Sequence, residues 1–378
     1  ARPFEPEADS THGITVATHP FGEDTLLRLW DFGGQDLYHG THALFMRSRA
    51  ILILVWTPDS EDSETHAFRG LTFRNHPLGY WLAHAAHLAG GQSPVLIVQN
   101  QCDRPGAEIL PPVANDALSP FAFRKVLSYS ALTQRDEPAL RDALRQAVDH
   151  IRENEGQARI GKGRLAVKQR LDALRDADAA CDDASQRRHR TLSQEHFFAL
   201  CKEEGGVSDP ALLLDYLHRS GVVFYQRGLF GDRIILDQAW ALDAIYTVFN
   251  RAQCWQELKR ARGRFTRSLL QSLVWQHYGE GEQRLFLSMM ESCGICFTYR
   301  REDEEHGVEA EYIAPELLPD LSAVETEVSA WWDDDQPCEE TAIDLPFLHP
   351  GVMRNLIAEI GGHAGMAALY WKDGVCLY

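Results

Sequence analysis

Apolar strands alternating with helices, then a change to short helix pairs followed by paired strands, predict the fold class: an α/β chain with a doubly wound, mostly parallel sheet, continued by an α+β region of tandem winged-helix-like units. Two runs carry the first half of that expectation. Ala50-Ile-Leu-Ile-Leu-Val-Trp56 and Pro94-Val-Leu-Ile-Val-Gln99 are continuously apolar, as strands covered on both faces are. One comparison carries the second half. Leu217-His-Arg-Ser-Gly-Val-Val-Phe224 and Met290-Glu-Ser-Cys-Gly-Ile-Cys-Phe297 share a helix end, a glycine and an apolar strand, which reads as an internal repeat.

Taken in order, residues 26–30 alternate loosely and form the first strand, ending at Asp31-Phe32-Gly33-Gly34-Gln35. A helix is expected over 38–46, a buried strand over 50–56, and a solvated insertion from 59 to 77 holding Arg69 and Arg74. A helix over 78–88, a strand over 94–99, a strand over 125–129 and a helix over 138–153 complete this half. Buried strands separated by helices imply parallel pairing, and ligands of such sheets bind beyond the strands' carboxyl ends. Residues 156–190 are charge-rich; Leu165, Val167, Leu171 and Leu174 give one apolar stripe, as on a linker helix that docks on a neighbour. Ser193 caps a helix running to 202, and Ser208-Asp209-Pro210 opens another to 218. Segments 221–225 and 233–236 then make a hairpin, followed by a helix over 238–250. The second copy has helices over 266–278 and 282–291 and strands over 294–299 and 310–313, joined by an acidic loop.

Composition narrows the function. A chain of 378 residues holds about two or three domains. Its net charge of -18 disfavours a grip on phosphate backbones. The helix over 209–218 has no basic face, and Arg301-Glu302-Asp303-Glu304-Glu305 would repel phosphate. The winged-helix-like units are therefore expected to touch protein, not nucleic acid. Cys293 and Cys296 form the one C-x-x-C among eight cysteines. No second pair or His pair lies at ligand spacing, so they read as buried, reduced core thiols, and unpaired thiols point to the cytoplasm. The start, Ala1-Arg-Pro-Phe-Glu-Pro-Glu7, lacks the apolar run of a signal peptide, and no run approaches the ~20 apolar residues of a membrane span.

Three polar clusters fall at strand ends. Asp31 can hold Mg²⁺ through water, a Gly34 N–H can approach a terminal phosphate, and Gln35 can orient an attacking water. A carboxylate at Asp103 can accept from the N1–H and N2–H₂ edge of guanine, a donor pair adenine lacks, while Asn100 ties loops together. At Ser130-Ala131-Leu132, backbone N–H groups can meet a purine carbonyl, and upstream the Thr11 hydroxyl can ligate a metal. Taken singly, each is also a plain polar turn.

Their order and spacing say more. Trp30 to Gln35, followed by His39, His42 and Phe45-Met46, together with Ser10-Thr11-His12-Gly13, resembles the Roc domain of Roco proteins, a branch of the Ras-like GTPases. The resemblance implies that Thr11 belongs to the first switch, that Asp31, Gly34 and Gln35 belong to the second, and that Asn100, Asp103, Ser130 and Ala131 read guanine. It implies GTP and GDP as ligands with Mg²⁺ as cofactor. Gln101 stands where the family often has Lys, and covers the base with less charge. The string Gly-x-x-x-x-Gly-Lys-Ser/Thr does not occur in these residues, so the chain by itself is expected to bind GTP weakly or not at all.

Farther on, Ile234 to Trp240, Ala244-Ile-Tyr246 and Tyr312 to Pro319 resemble the COR domain that adjoins Roc. Phe347 to Met353 and Ala368 to Val375 resemble the start of its C-terminal half. The implied boundaries are Roc over 1–155, a linker over 156–190, the N-terminal half of COR over 191–325 and the start of its C-terminal half over 326–378. Two functions compete. One is a GTPase module that hydrolyses GTP and passes the change through COR to a homodimer. The other is a scaffold that uses a GTPase-like fold for protein contacts alone.

Overall fold

The computed structural model describes residues 14–22, 25–33, 50–68, 71–155, 161–181, 183, 186–225, 227–228, 230–250, 254–332, 339–345 and 347–377. The helix expected over 38–46, and Thr11, Gly34, Gln35 and Arg69, lie outside them. The first strands, β1 (Ile14–Pro20) and β2 (Leu26–Phe32), pair antiparallel, with Ile14 opposite Phe32 and Pro20 opposite Leu26. The strand expected over 26–30 is thus half of a hairpin and not a member of the parallel sheet. Its connection closes with the Phe21 N–H donating to the Thr25 carbonyl at 2.8 Å, far shorter than the dozen or so residues a parallel crossover takes.

The chain divides into two compact units. Among the described residues, the first holds those between 34 and 159 with 347–349; the second holds those between 11 and 33, between 160 and 345, and from 350 on. The first unit runs β3 (Leu52–Trp56), α1 (Pro58–Asp62), β4 (Thr65–Phe68), β5 (Leu71–Arg74), α2 (Leu78–Ala89), β6 (Val95–Gln99), β7 (Arg124–Ser128) and α3 (Glu137–Glu155). Strands β3, β6 and β7 form a parallel sheet in that order. Central β6 is buried along its length, because α3 lays Ala143 and Ala147 on Leu96 and Val98 while Val95 and Ile97 are buried on the opposite face. The expectation of full cover fails at β3: Leu52 and Trp56 are buried, but Ile53 and Val55 are 39% and 60% exposed. β3 is the edge of the three-stranded sheet, and alternation turns those two side chains to a face the described residues leave open. The segment expected as a solvated loop holds α1 and the antiparallel β4–β5 ribbon. Thr57 caps α1, its hydroxyl accepting from the Ser60 N–H at 3.2 Å.

The second unit continues from the hairpin with α4 (Lys162–Ala179), β8 (Thr191–Ser193), α5 (Gln194–Glu204), α6 (Pro210–Arg219), β9 (Arg233–Ile235), α7 (Gln238–Thr247) and α8 (Trp255–Arg260). There follow β10 (Arg264–Thr266), α9 (Arg267–Leu273), α10 (Glu280–Ser292), β11 (Phe297–Arg300), β12 (Glu311–Ile313), α11 (Glu325–Trp331), α12 (Pro350–Ala364), β13 (Ala368–Trp371) and β14 (Gly374–Leu377). Val167 and Leu171 of α4 are buried with Phe197, Leu213 and Leu217, so this helix belongs to the core it was expected to dock on.

The repeat extends to single hydrogen bonds. Ser193 caps α5 by accepting from the His196 N–H, and Thr266 caps α9 from Leu269. The Val222 N–H donates to Leu217 and the Ile295 N–H to Met290, each at 2.8 Å. Gly221 and Gly294 turn both corners with left-handed φ of 68° and 66°, where a side chain would be strained. β9 departs from the expected hairpin: it pairs with β8 along its length and meets the 221–225 segment at one bridge, Phe224 to Ile235. β10 pairs with β12 in the same way. The helix expected over 266–278 stops at Leu273, since the buried Trp275 turns its indole N–H to the Ala244 carbonyl at 2.9 Å. Cys293 and Cys296 are buried and unbridged; burial pushes the Cys293 thiol up to about 12 and the Cys296 thiol well above its ordinary value.

Candidate functional site

Parallel pairing of β6 with β7 sets residues 100–103 and 130–131 side by side beyond their carboxyl ends. The Asn100 N–H donates to the Trp56 carbonyl at 2.9 Å, and the Cys102 N–H to Tyr129 at 3.1 Å. Cys102 is fully buried and anchors the loop; burial is also the main reason its thiol is shifted upward. Gln101 bridges the two anchors with φ of 63° and is exposed.

The four positions expected to read guanine come together here. Buried Ser130 donates its hydroxyl to Asp103 Oδ1 at 2.5 Å and accepts from the Thr133 N–H at 2.9 Å. That fixes one oxygen of a carboxylate on an exposed residue. Asn100 Oδ1 accepts from the Ala131 N–H at 3.1 Å. The Ala131 N–H, expected to meet a purine carbonyl, is therefore held by Asn100, whose side chain lies across the gap between the strand ends.

A second layer behind Asp103 carries no motif. Gln99, a buried polar residue closing an apolar strand, donates from Nε2 to the Ala107 carbonyl at 2.9 Å and accepts the Ile109 N–H at 2.8 Å. The Arg135 guanidinium donates to the carbonyls of Cys102 at 3.2 Å and Arg104 at 2.7 Å, and to the Glu108 carboxylate. Gln99 had one readable signal, its polarity inside a buried strand; Arg135 had none.

Asp31, in the second unit, is exposed on β2 opposite Thr15. On the same strand Arg28 donates to the Gly221 carbonyl at 2.7 Å, and the Trp30 ring lies 5.5 Å from Phe224. Among the described residues no three His, Cys, Asp or Glu side chains gather as a metal site. No described helix is long and apolar enough to cross a membrane.

The first unit holds one more unanticipated cluster. His76 stacks on Tyr80 at 4.0 Å, and His84 meets His349 at 5.0 Å, with Trp81, His87 and Phe347 around them.

Comparison with known proteins bears on both units. A family profile described as "Ras of Complex, Roc, domain of DAPkinase" matches residues 1–103, and one described as "C-terminal of Roc, COR-A domain" matches 166–318. The chain is 25% identical to a Roc-COR-CHAT protease from an unknown prokaryotic organism, over 94% of this chain and 31% of that protein. It is 23% identical to a Roc-COR-CHAT protease of Runella zeae, over 99% and 38% respectively. A cyclic GMP-binding protein C of Dictyostelium discoideum is 23% identical over 88% of this chain and 12% of that protein. The chain thus spans about a third of the length of the two curated prokaryotic relatives, 31% and 38%.

Proposed function

We propose, for a chain that belongs to the Roco family by its Roc domain and the COR domain that follows it, a GTPase module that binds GTP and GDP and couples hydrolysis through COR to a conformational or dimerisation change. The observation that carries this reading is the joining of Asn100, Asp103, Ser130 and Ala131 at the ends of two parallel strands. With one oxygen held by Ser130, the Asp103 carboxylate accepts the paired donors of guanine. With Oδ1 held by Ala131, Asn100 has Nδ2 left to donate to the purine. Gln101 covers a face of the base. On the family resemblance, Thr11 and Asp31 fall to Mg²⁺, Gly34 to the terminal phosphate and Gln35 to the attacking water; Mg²⁺ when bound supplies charge to the phosphates. The winged-helix-like repeats serve as contact modules, and two copies associate through Roc and COR.

Titrating the intact protein with GDP, ADP and XDP tests the base reading. Guanine is expected to win. Asp103→Asn replaces one acceptor oxygen by a donor, so it should move preference toward xanthine by roughly tenfold or more. Equal affinity for GDP and ADP would overturn the reading, and no nucleotide binding at all would favour the scaffold.

A further inference from the structure

We propose that Arg135 is a positioning residue for base recognition: its guanidinium brackets the backbone of Asp103 and holds that carboxylate where the base arrives. The inference rests on the reading that Asp103 meets guanine, and it adds a residue that no motif contains. Cys102 and Arg104 flank Asp103, and one guanidinium nitrogen, Nη1, donates to both of their carbonyls while Nη2 meets Glu108. Arg135 is thus attached on either side of the residue it steadies. Its own carbonyl accepts the N–H of Ser130, at 3.3 Å, and Ser130 is the residue that orients Asp103. A single side chain and its backbone therefore link the two loops of the site.

The rest of the loop is fastened around this bracket. Glu108 accepts from Arg135 and from the Gly106 N–H at 2.7 Å, and its carboxyl is held below the usual range by its own backbone N–H and then by Arg135. Gln99 pins Ala107 and Ile109 from the strand side. Asp103, Arg104, Pro105 and Gly106 are exposed. Without the bracket, the carboxylate would keep its bond from Ser130, but its backbone would lie on a solvent-exposed turn fixed at its near end by Cys102 and at its far end by Gln99.

A plain ion pair between Arg135 and Glu108 is the competing account, and such exposed pairs contribute little. The two accounts separate by mutation. On the intact protein, the ratio of GDP to ADP affinity is measured with fluorescent nucleotides for wild type, Arg135→Ala, Arg135→Lys and Glu108→Gln, with circular dichroism to confirm folding. Arg135→Ala should lower the ratio by roughly tenfold, because charge-assisted bonds to both flanking carbonyls are lost. Glu108→Gln keeps the bracket and should stay within about twofold. Arg135→Lys keeps the charge but ends one bond short of Nη1 and lacks the nitrogen that meets Glu108, so it should fall between them; it also decides the matter should the alanine variant not fold. An unchanged ratio in the Arg135 variants would overturn the inference alone, as would a loss in Glu108→Gln equal to theirs. A wild-type protein with no preference for guanine would overturn the base reading and this inference with it.

Discussion

On α2, His84 sits among His76, His87 and His349, and burial holds its imidazole down to about 3, with those three histidines adding to the shift. The sign follows from linkage. The folded pKa lies below the ordinary value of 6.5, so the unfolded chain takes up a proton the folded one refuses. Stability from this residue is complete above 6.5 and lost as pH falls toward 3, by about 1.4 kcal/mol per pH unit. Urea denaturation at several pH values, followed by tryptophan fluorescence, should give a shallower acid slope for His84→Gln than for wild type. The comparison has to be made as a difference, because burial also lowers the pKa of His218 in the second unit. Superimposable slopes would mean that the cluster does not exclude protons from His84. The same residue scale shows the limits of motif reading. Asn100 and Asp103 stood out by their place after an apolar strand and Ser130 only through the family resemblance, whereas Arg135 is one arginine among many until the fold lays it on two carbonyls.

At the scale of elements, the repeat explains why two distant stretches look alike: each ends a helix with a left-handed glycine, after which an apolar segment turns away from the helix. What differs is the neighbour at each corner. Trp30 of the β1–β2 hairpin lies against Gly221 and Phe224, while α12 lies against Gly294 and Phe297. That second contact gives a paired prediction on adjacent residues of α12. A Cβ at Gly361 would fall 2.4 Å from the Phe297 ring, whereas one at Gly362 meets nothing within 4 Å. Gly361→Ala should destabilise by about 1–3 kcal/mol through overpacking, and Gly362→Ala should stabilise by about 0.5–1 kcal/mol through helix propensity. Thermal melts of both variants check this, and equal shifts would mean that α12 does not pack on β11 through Gly361. The helices of the repeat and its strands β9, β11 and β12 were readable in the sequence, while the strand expected over 221–225 is a single bridge. The β8–β9 pairing was not readable, since a three-residue strand distant in sequence carries no periodic signal.

For the whole molecule, the proposed homodimer joins two chains of net charge -18 each. Their repulsion is screened by salt, so association of this chain in analytical ultracentrifugation should tighten as ionic strength rises from low values. Loosening instead would place opposite charges face to face at the interface. The sequence by itself determined that a parallel α/β part precedes a repeated α+β part, that 94–99 is a buried strand, and that polar residues follow the strands β6 and β7. These follow from local periodicity and from short motifs, which act within a few residues. Only the tertiary structure decided that β2 is a hairpin strand seated on Gly221, that β3 is a half-exposed edge, that Phe347 and His349 lie on α2, and that Arg135 brackets Asp103. Each of these depends on which distant segments pack together, a choice made by the burial of surfaces across the whole chain and written in no local pattern.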